Sequence, residues 1–269
     1  MLEQGDWYDP KTLTVVSRVP KADGKGDTKA TLTHARKLPL IPRVSKIIDE
    51  AWATSFQLLT WKEKHLLLAC IAEPYIGPAP GQDGFDECFE DWRRERKAVA
   101  SEPAKEAASR GTLLHGQMGK YVDSKRKIQP EDPAAKTICH ALDAKCEEWG
   151  VTFISTEVTV GGLEFGCAGT PDLVLTLADE SRILVDLKTT DLKGWKKPYD
   201  NQLIQLGAYA YLTNSEPGTR LFQMVADREF GTVVWWEHER ADGASAAFVR
   251  CLDNWCFFNK HDTRIKEDA

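Results

Sequence analysis

Gly169-Thr170-Pro171-Asp172-Leu173-Val174-Leu175-Thr176-Leu177, a polar break at Ala178–Ser181, and Arg182-Ile183-Leu184-Val185-Asp186-Leu187-Lys188 form the stretch that decides how this chain is read. Both runs are apolar at successive positions, the pattern of central strands buried on two faces. The break between them has hairpin length. Side chains alternate along a strand, so Asp186 and Lys188 share a face. A loop centred on Asp179 sets Asp172 directly opposite Asp186, with Cβ atoms roughly 4.5–5.5 Å apart. Two carboxylates so placed repel, and burial makes each one costly. A hard divalent cation between them removes that cost, because carboxylate oxygens suit Mg²⁺ or Mn²⁺. Lys188 then stands beside the ion, placed to position a water and to stabilise charge developing on a phosphate. The ordinary reading is a hairpin whose charges lie at solvated strand ends, and a bare D-x-K triplet is common by chance. The Pro171-Asp172 pair at hairpin distance and the two buried-type strands favour the metal reading.

Downstream of this hairpin the pattern predicts a helix over 198–212 with Pro198 in its first turn, a strand pair at 221–226 and 232–237, and a last helix over 244–258. Upstream, 152–160 reads as a strand, Gly161-Gly162 as a turn, and 163–167 as the start of a second strand. A helix over 133–149 is well marked. Asp132 is placed to cap it, Pro133 fits its first turn, Gly150 suits its end, and Ile138, Leu142, Cys146 and Trp149 form its buried stripe. Another helix is expected from Pro103 to Val122, with Gly111, His115, Met118 and Val122 on one face. A separate charged helix holds Arg93-Arg94-Glu95-Arg96-Lys97. A loop over 74–84 divides it from a helical region between Trp52 and Ala72, where Leu58, Trp61, His65 and Leu68 recur at helical spacing. Ser45 is placed to cap a helix starting near Lys46. In the leader, Leu13–Val16 is a candidate strand and Lys21–Gly26 a turn between two strands. The order predicts an α/β fold: a mixed central sheet flanked by helices, with an N-terminal helical elaboration.

The chain has 269 residues and a net charge of -6, and 42% of its residues are hydrophobic. That excludes a wholly disordered chain, and no apolar run approaches the length of a bilayer span. The first residues lack a basic stretch followed by an apolar one, so no secretory signal is expected, and the cytosol or its viral equivalent is the expected compartment. Seven scattered cysteines suit reduced thiols. Cys139 and Cys146, seven apart on a helix, suit core packing rather than zinc.

At these residues the sequence resembles the PD-(D/E)XK nuclease superfamily, and more closely its RecB-like exonuclease branch, which includes phage, CRISPR-associated and mitochondrial genome maintenance exonucleases. The likeness spans roughly residues 38 to 212. Leu38 to Ile48 resembles the opening segment of that branch, and Gly111-Thr112-Leu113-Leu114-His115 resembles its helix with a metal-ligand histidine. Glu157 matches an acidic residue of the first core strand. Gly169-Thr170-Pro171-Asp172 and Asp186-Leu187-Lys188 match the metal and lysine motifs, and Gln205-Leu206-Gly207-Ala208-Tyr209 matches Q-x-x-x-Y. The resemblance implies a restriction-endonuclease-like core and Mg²⁺- or Mn²⁺-dependent hydrolysis of DNA phosphodiesters by a bacterial or phage-encoded enzyme of recombination or repair. It implies metal ligands at His115, Asp172, Asp186 and the backbone carbonyl of Leu187, and catalytic roles for Asp172, Asp186, Lys188 and Glu157. The expected divisions are a leader at 1–37, a helical elaboration at 38–102 and the nuclease core at 103–269. Some members of the branch hold an iron–sulfur cluster on one upstream and three downstream cysteines. Only Cys251 and Cys256 follow the core here, which argues against a cluster.

Gln202, Gln205 and Tyr209 fall on one helical face and read as DNA contacts or, in the ordinary case, as a solvated stripe. Lys193, Lys196 and Lys197 surround Trp195 just beyond the motif. They suit a phosphate-binding groove with a stacking platform, and the ordinary reading of Trp195 is a loop anchor. A second basic group, Lys120, Lys125, Arg126 and Lys127, follows the His115 helix, and a third lies at Arg93–Lys97. DNA as a single strand or duplex end is the expected partner, and no membrane is. A helicase or recombination partner is not specified by the residues. A structure-specific or restriction-like endonuclease, and a non-catalytic nucleic-acid-binding module on a nuclease fold, are the alternatives.

Overall fold

The computed structural model describes residues 5–21, 24–52, 56–215, 219–239 and 241–264, with the side chains of 56–61 and Asp242 left outside that description. Leu58 and Trp61 of the expected helical stripe therefore lie outside the described side chains, and Ala22 and Asp23 of the leader turn lie outside the described residues.

The chain runs β1 (Trp7–Tyr8), β2 (Arg18–Pro20), β3 (Asp27–Lys29), α1 (Leu32–Lys37), β4 (Ile41–Pro42), α2 (Val44–Ala51), α3 (Phe56–Ala72), α4 (Phe85–Asp123), α5 (Pro133–Trp149), β5 (Val151–Thr156), β6 (Val160–Gly162), β7 (Cys167–Gly169), β8 (Leu173–Leu177), β9 (Arg182–Thr190), α6 (Asp200–Leu212), β10 (Arg220–Asp227), β11 (Val233–Glu237) and α7 (Ala241–Asn259). It is a mixed α/β fold. The main sheet has the order β11-β10-β9-β8-β5, with β9 and β10 parallel and the other pairs antiparallel. The parallel pair requires a crossover, and α6 supplies it. Two compact units divide the chain: residues 1–52 with 113–269, and residues 53–112.

In the larger unit, strand alternation sorts the sheet into two faces. Leu184 and Leu221 pack with α2, α6 and α7 in one core that includes Ile47, Leu206 and Phe248. Leu173, Leu175, Val185, Leu187, Phe222 and Met224 pack on the other face with Leu114 and Met118 from the end of α4 and with Ile138 and Leu142 of α5. β9 is buried on both faces over its apolar run, as the sequence pattern predicts, whereas β8 buries Leu173 and Leu175 on one face and leaves Val174 and Thr176 half-buried on the other. Helix α5 starts and ends as its sequence dictates. The Asp132 carboxylate accepts from the N–H groups of Ala134 and Ala135, and Gly150 closes the helix at φ 65°. In the smaller unit, Tyr75 meets Phe85, Phe89 and Trp92 edge-on, and the Trp92 indole donates to the Glu73 carbonyl.

Several local expectations change. The charged helix and the Pro103–Val122 helix are one continuous element, α4, with Pro103 inside it. Strong helix formers flank that proline, the ion pairs Arg93–Glu90 and Arg94–Asp91 support the helix before it, and Lys105–Glu102 spans it, each pair three residues apart. Leu13–Val16 makes only a bridge from Val15 to Tyr8, because Trp7–Tyr8 pairs with Ile41–Pro42 instead. Helix α2 begins at Val44 with Arg43 at its N-cap, so Ser45 lies within the first turn. The strand expected over 152–160 stops at Thr156, since Glu157 takes φ 48°. Gly161 and Gly162 lie inside β6, and the turn falls at 163–166, closed by Gly166 at φ 69°. Helix α6 starts at Asp200 with Tyr199 as N-cap, leaving Pro198 outside it, and α7 starts at Ala241.

Candidate functional site

The β8–β9 ladder pairs Leu173 with Val185 and Thr176 with Arg182, a register centred on Asp179. Asp172 lies one residue beyond the ladder, in the position facing Asp186. Its Oδ2 accepts the Leu187 N–H at 2.7 Å, so the turn into β8 is tied to the neighbouring strand. The same row extends to both sides. The Glu157 N–H donates to the Asp172 carbonyl at 3.4 Å, Gln223 of β10 is the parallel partner of Asp186, and Trp236 of β11 is the partner of Gln223. Glu157, Asp172, Asp186, Gln223 and Trp236 thus form one line across the sheet.

Each carboxylate on this line has its own partners. Asp186 is 1% exposed, and Lys188 Nζ lies 2.8 Å from its Oδ1 and 2.7 Å from its Oδ2. The Gln223 side-chain amide donates to the Asp186 carbonyl at 2.9 Å and to its carboxylate. Lys188 also donates to Gln205 Oε1 at 3.3 Å, and Gln205 Nε2 donates to the Tyr209 hydroxyl at 2.8 Å. Asp172 Oδ1 faces His115 Nδ1 at 3.4 Å. Gly119, one turn after His115 on α4, lies next to the Glu157 carboxyl, 3.9 Å from where a Cβ there would sit, an ordinary contact distance. Gly169, by contrast, is required, because a Cβ would stand 2.8 Å from Tyr209 Cε1 and 2.9 Å from Val44 Cγ2.

The electrostatics follow from burial and neighbours. Burial works to raise the Asp172 carboxyl, but His115, Lys188 and the Leu187 N–H outweigh it and hold the group below the usual range. Burial raises the Asp186 carboxyl and the charge on Asp172 adds to this, against the opposing pull of Lys188. Lys188 and His115 are both desolvated, yet the facing carboxylates raise both and favour their charged forms. Burial and Asp172 also raise Glu157.

Of the expected site residues, the fold brings together His115, Asp172, Asp186, Leu187, Lys188, Gln205 and Tyr209, with Glu157 at the edge of the row. Gln202 does not join them. Its side-chain oxygen accepts the Tyr199 N–H at 2.9 Å and caps α6. Lys193, Lys196 and Lys197 are exposed, and the Trp195 ring meets Trp236 edge-on at 5.9 Å. The other basic groups are engaged in part: Arg126 pairs with Asp143 at 2.7 Å, and Arg93 and Arg94 pair within α4. Gln223 is the residue that the sequence reading missed. It is fully buried, and a lone amide in the apolar run Leu221–Ala226 was the available signal.

Two carboxylates, an imidazole and a backbone carbonyl are oxygen and nitrogen donors of the kind Mg²⁺ or Mn²⁺ accepts. The donor set therefore fits such an ion in its chemistry. Its present geometry serves the chain's own cations instead, and among the described residues no three His, Cys, Asp or Glu side chains converge to hold an ion. Lys188 supplies the positive charge that Asp186 requires. For an ion to bind there, the ammonium must release the carboxylate. All seven cysteines are free thiols, and Cys139, Cys146, Cys167, Cys251 and Cys256 are buried. Among the described residues, no helix is long and apolar enough to cross a membrane.

No protein-family model matches the chain, and no curated protein matches it. Among solved structures, it is similar to SSO0001 at 12% identity and a TM-score of 0.35, over 76% of this chain and 87% of that one. It is also similar to a protein named "Putative exonuclease" from Eubacterium rectale at 12% identity and a TM-score of 0.33, over 55% of this chain and 68% of that one. Likenesses this distant say nothing about the chemistry of the row.

Proposed function

We propose that this protein is a Mg²⁺- or Mn²⁺-dependent deoxyribonuclease that hydrolyses DNA phosphodiester bonds, acting on ends or single strands as an exonuclease. The observation that carries the reading is the convergence of Asp172, Asp186 and Lys188 at one end of two central strands, with His115 and the Gln205–Tyr209 pair beside them. Buried acids at adjoining positions, held by cations, are an expensive arrangement for a purely structural role.

His115, Asp172, Asp186 and the Leu187 carbonyl would hold a divalent ion, which would supply Lewis-acid stabilisation of charge on the scissile phosphate. The chain's own residues do the rest. The ammonium of Lys188, once released from Asp186, orients the attacking water and faces the developing negative charge. Gln205 fixes the Lys188 ammonium from the α6 side and is itself fixed by the Tyr209 hydroxyl. Gln223 holds the Asp186 carboxylate in one orientation. The exposed Lys193, Lys196 and Lys197 contact the DNA backbone.

The test is digestion of single- and double-stranded DNA labelled at either end, with Mg²⁺, Mn²⁺ or a chelator, alongside a closed circle. Ion-dependent loss of ends with the circle intact is expected, and it disappears in Asp186→Asn and Lys188→Ala. Cutting of the circle assigns an endonuclease instead. The internal neutralisation of both carboxylates favours a second reading, a nucleic-acid-binding module without turnover. DNA binding with no cleavage under any ion condition assigns that one.

A further inference from the structure

Beyond Asp186 and Gln223, the row ends at Trp236 on the edge strand β11, two strand spacings or roughly 10 Å from Asp186. There the N-terminal end of α6 and the strand edge border an open cavity of about 330 Å³ lined in part by Lys197, Tyr199, Asp200, Trp236, His238 and Glu239. Trp236 is 36% exposed and Tyr199 49%, so the cavity presents two accessible aromatic rings. Trp195 braces Trp236 edge-on. His238 is nine-tenths buried, and its Nε2 has no partner among the described residues.

We propose that this cavity binds an unpaired nucleobase of a single-stranded nucleic acid. The proposal rests on the nuclease reading for its substrate class. The charges argue for a base rather than a phosphate. Asp200 and Glu239 repel an anion from the cavity, and Glu237, which also lines it, is already held by Arg220 at 2.7 and 3.0 Å. Those same carboxylates accept hydrogen bonds from the N–H groups on a base edge. Aromatic rings stack on any base face. Lys197 is itself part of the lining, and the exposed Lys193 and Lys196 precede it in the chain; these cations meet the flanking phosphates. The volume lies at the lower end of that of small-molecule sites, and so suits one base rather than a duplex end.

The experiment measures binding of a fluorescein-labelled single strand of about 12 nucleotides to the full chain in chelator, where cleavage does not intervene. Trp236→Ala and Tyr199→Ala each raise the Kd about tenfold, while Trp236→Phe stays within about twofold of the parent. A strand of the same length made entirely of abasic sites binds weakly, and it binds equally to the parent and to Trp236→Ala. The cavity assignment is overturned if Trp236→Ala and Tyr199→Ala bind the normal strand like the parent, or lose affinity for the abasic strand to the same degree. Cleavage that survives with the variants indifferent removes the cavity alone. The expected binding pattern without cleavage keeps the cavity and removes the hydrolytic reading. Absence of single-strand binding by the parent removes both.

Discussion

The Gln223 side chain donates from one amide nitrogen to both the backbone carbonyl and the carboxylate of Asp186, its parallel-strand partner. This clamp sets the direction in which the Asp186 oxygens point. An outer partner of this kind commonly contributes 10–100-fold to activity or ion affinity. Gln223→Leu keeps the approximate volume and removes the donor. Hydrolysis is expected to fall by about 10–100-fold, and unfolding stability by about 1–3 kcal/mol, since a buried carboxylate loses a hydrogen bond. Steady-state cleavage rates and urea unfolding check both. Parental cleavage in the folded variant removes Gln223 from the site.

The register of the β8–β9 hairpin was legible in the residues, because its short polar break leaves one natural centre, Asp179, and that centre places Asp172 against Asp186. The caps of α5 were legible for a similar reason, since Asp132 and Gly150 act through local backbone geometry. The course of α4 was not. Pro103 removes one hydrogen bond, and whether the helix survives depends on the summed propensities on both sides and on the ion pairs before and across it. Nor was Gln223, whose meaning depends on a parallel pairing that only the α6 crossover creates. Glu157 matched an acidic position in a strand, and its positive φ ends that strand one residue earlier.

Lys188 neutralises a carboxylate that is almost wholly buried. Lys188→Met leaves Asp186 without a cation, at a cost of about 3 kcal/mol, at the low end for a buried pair because the lysine is one-third exposed. If a divalent ion competes for the same oxygens, Mn²⁺ recovers part of the loss. The midpoint of thermal unfolding is therefore expected to rise with Mn²⁺ more in Lys188→Met than in the parent. Equal responses, with the variant destabilised, mean that no ion replaces the ammonium.

Gly169 lets Tyr209 and Val44 approach the backbone just before Thr170-Pro171-Asp172. In Gly169→Ala the new methyl meets Tyr209 Cε1 at 2.8 Å and Val44 Cγ2 at 2.9 Å, from two different elements. Neither side chain has room to yield independently in this core. A loss of about 1–3 kcal/mol is expected from overpacking. A displaced Tyr209 also loses Gln205, so cleavage should fall further than stability alone explains. Denaturant unfolding and a cleavage assay at a temperature where both proteins are folded separate the two effects.

His238 and His115 pull stability in opposite directions with pH. Burial without a partner for Nε2 depresses the His238 pKa below its ordinary 6.5. The folded state then binds fewer protons than the unfolded state in this range, so the contribution of His238 is complete above about pH 6.5 and is lost as pH falls through the folded-state value. His115, raised by Asp172 against its own desolvation, contributes below 6.5 and loses that contribution as pH rises. The parent profile sums both and assigns neither, whereas the difference between the parent and His238→Phe isolates one. Between about pH 7.5 and pH 5.5 the unfolding midpoint of the parent should fall more than that of His238→Phe, which has no proton to gain at this position. Parallel profiles would mean that the imidazole meets water or a partner in the folded protein.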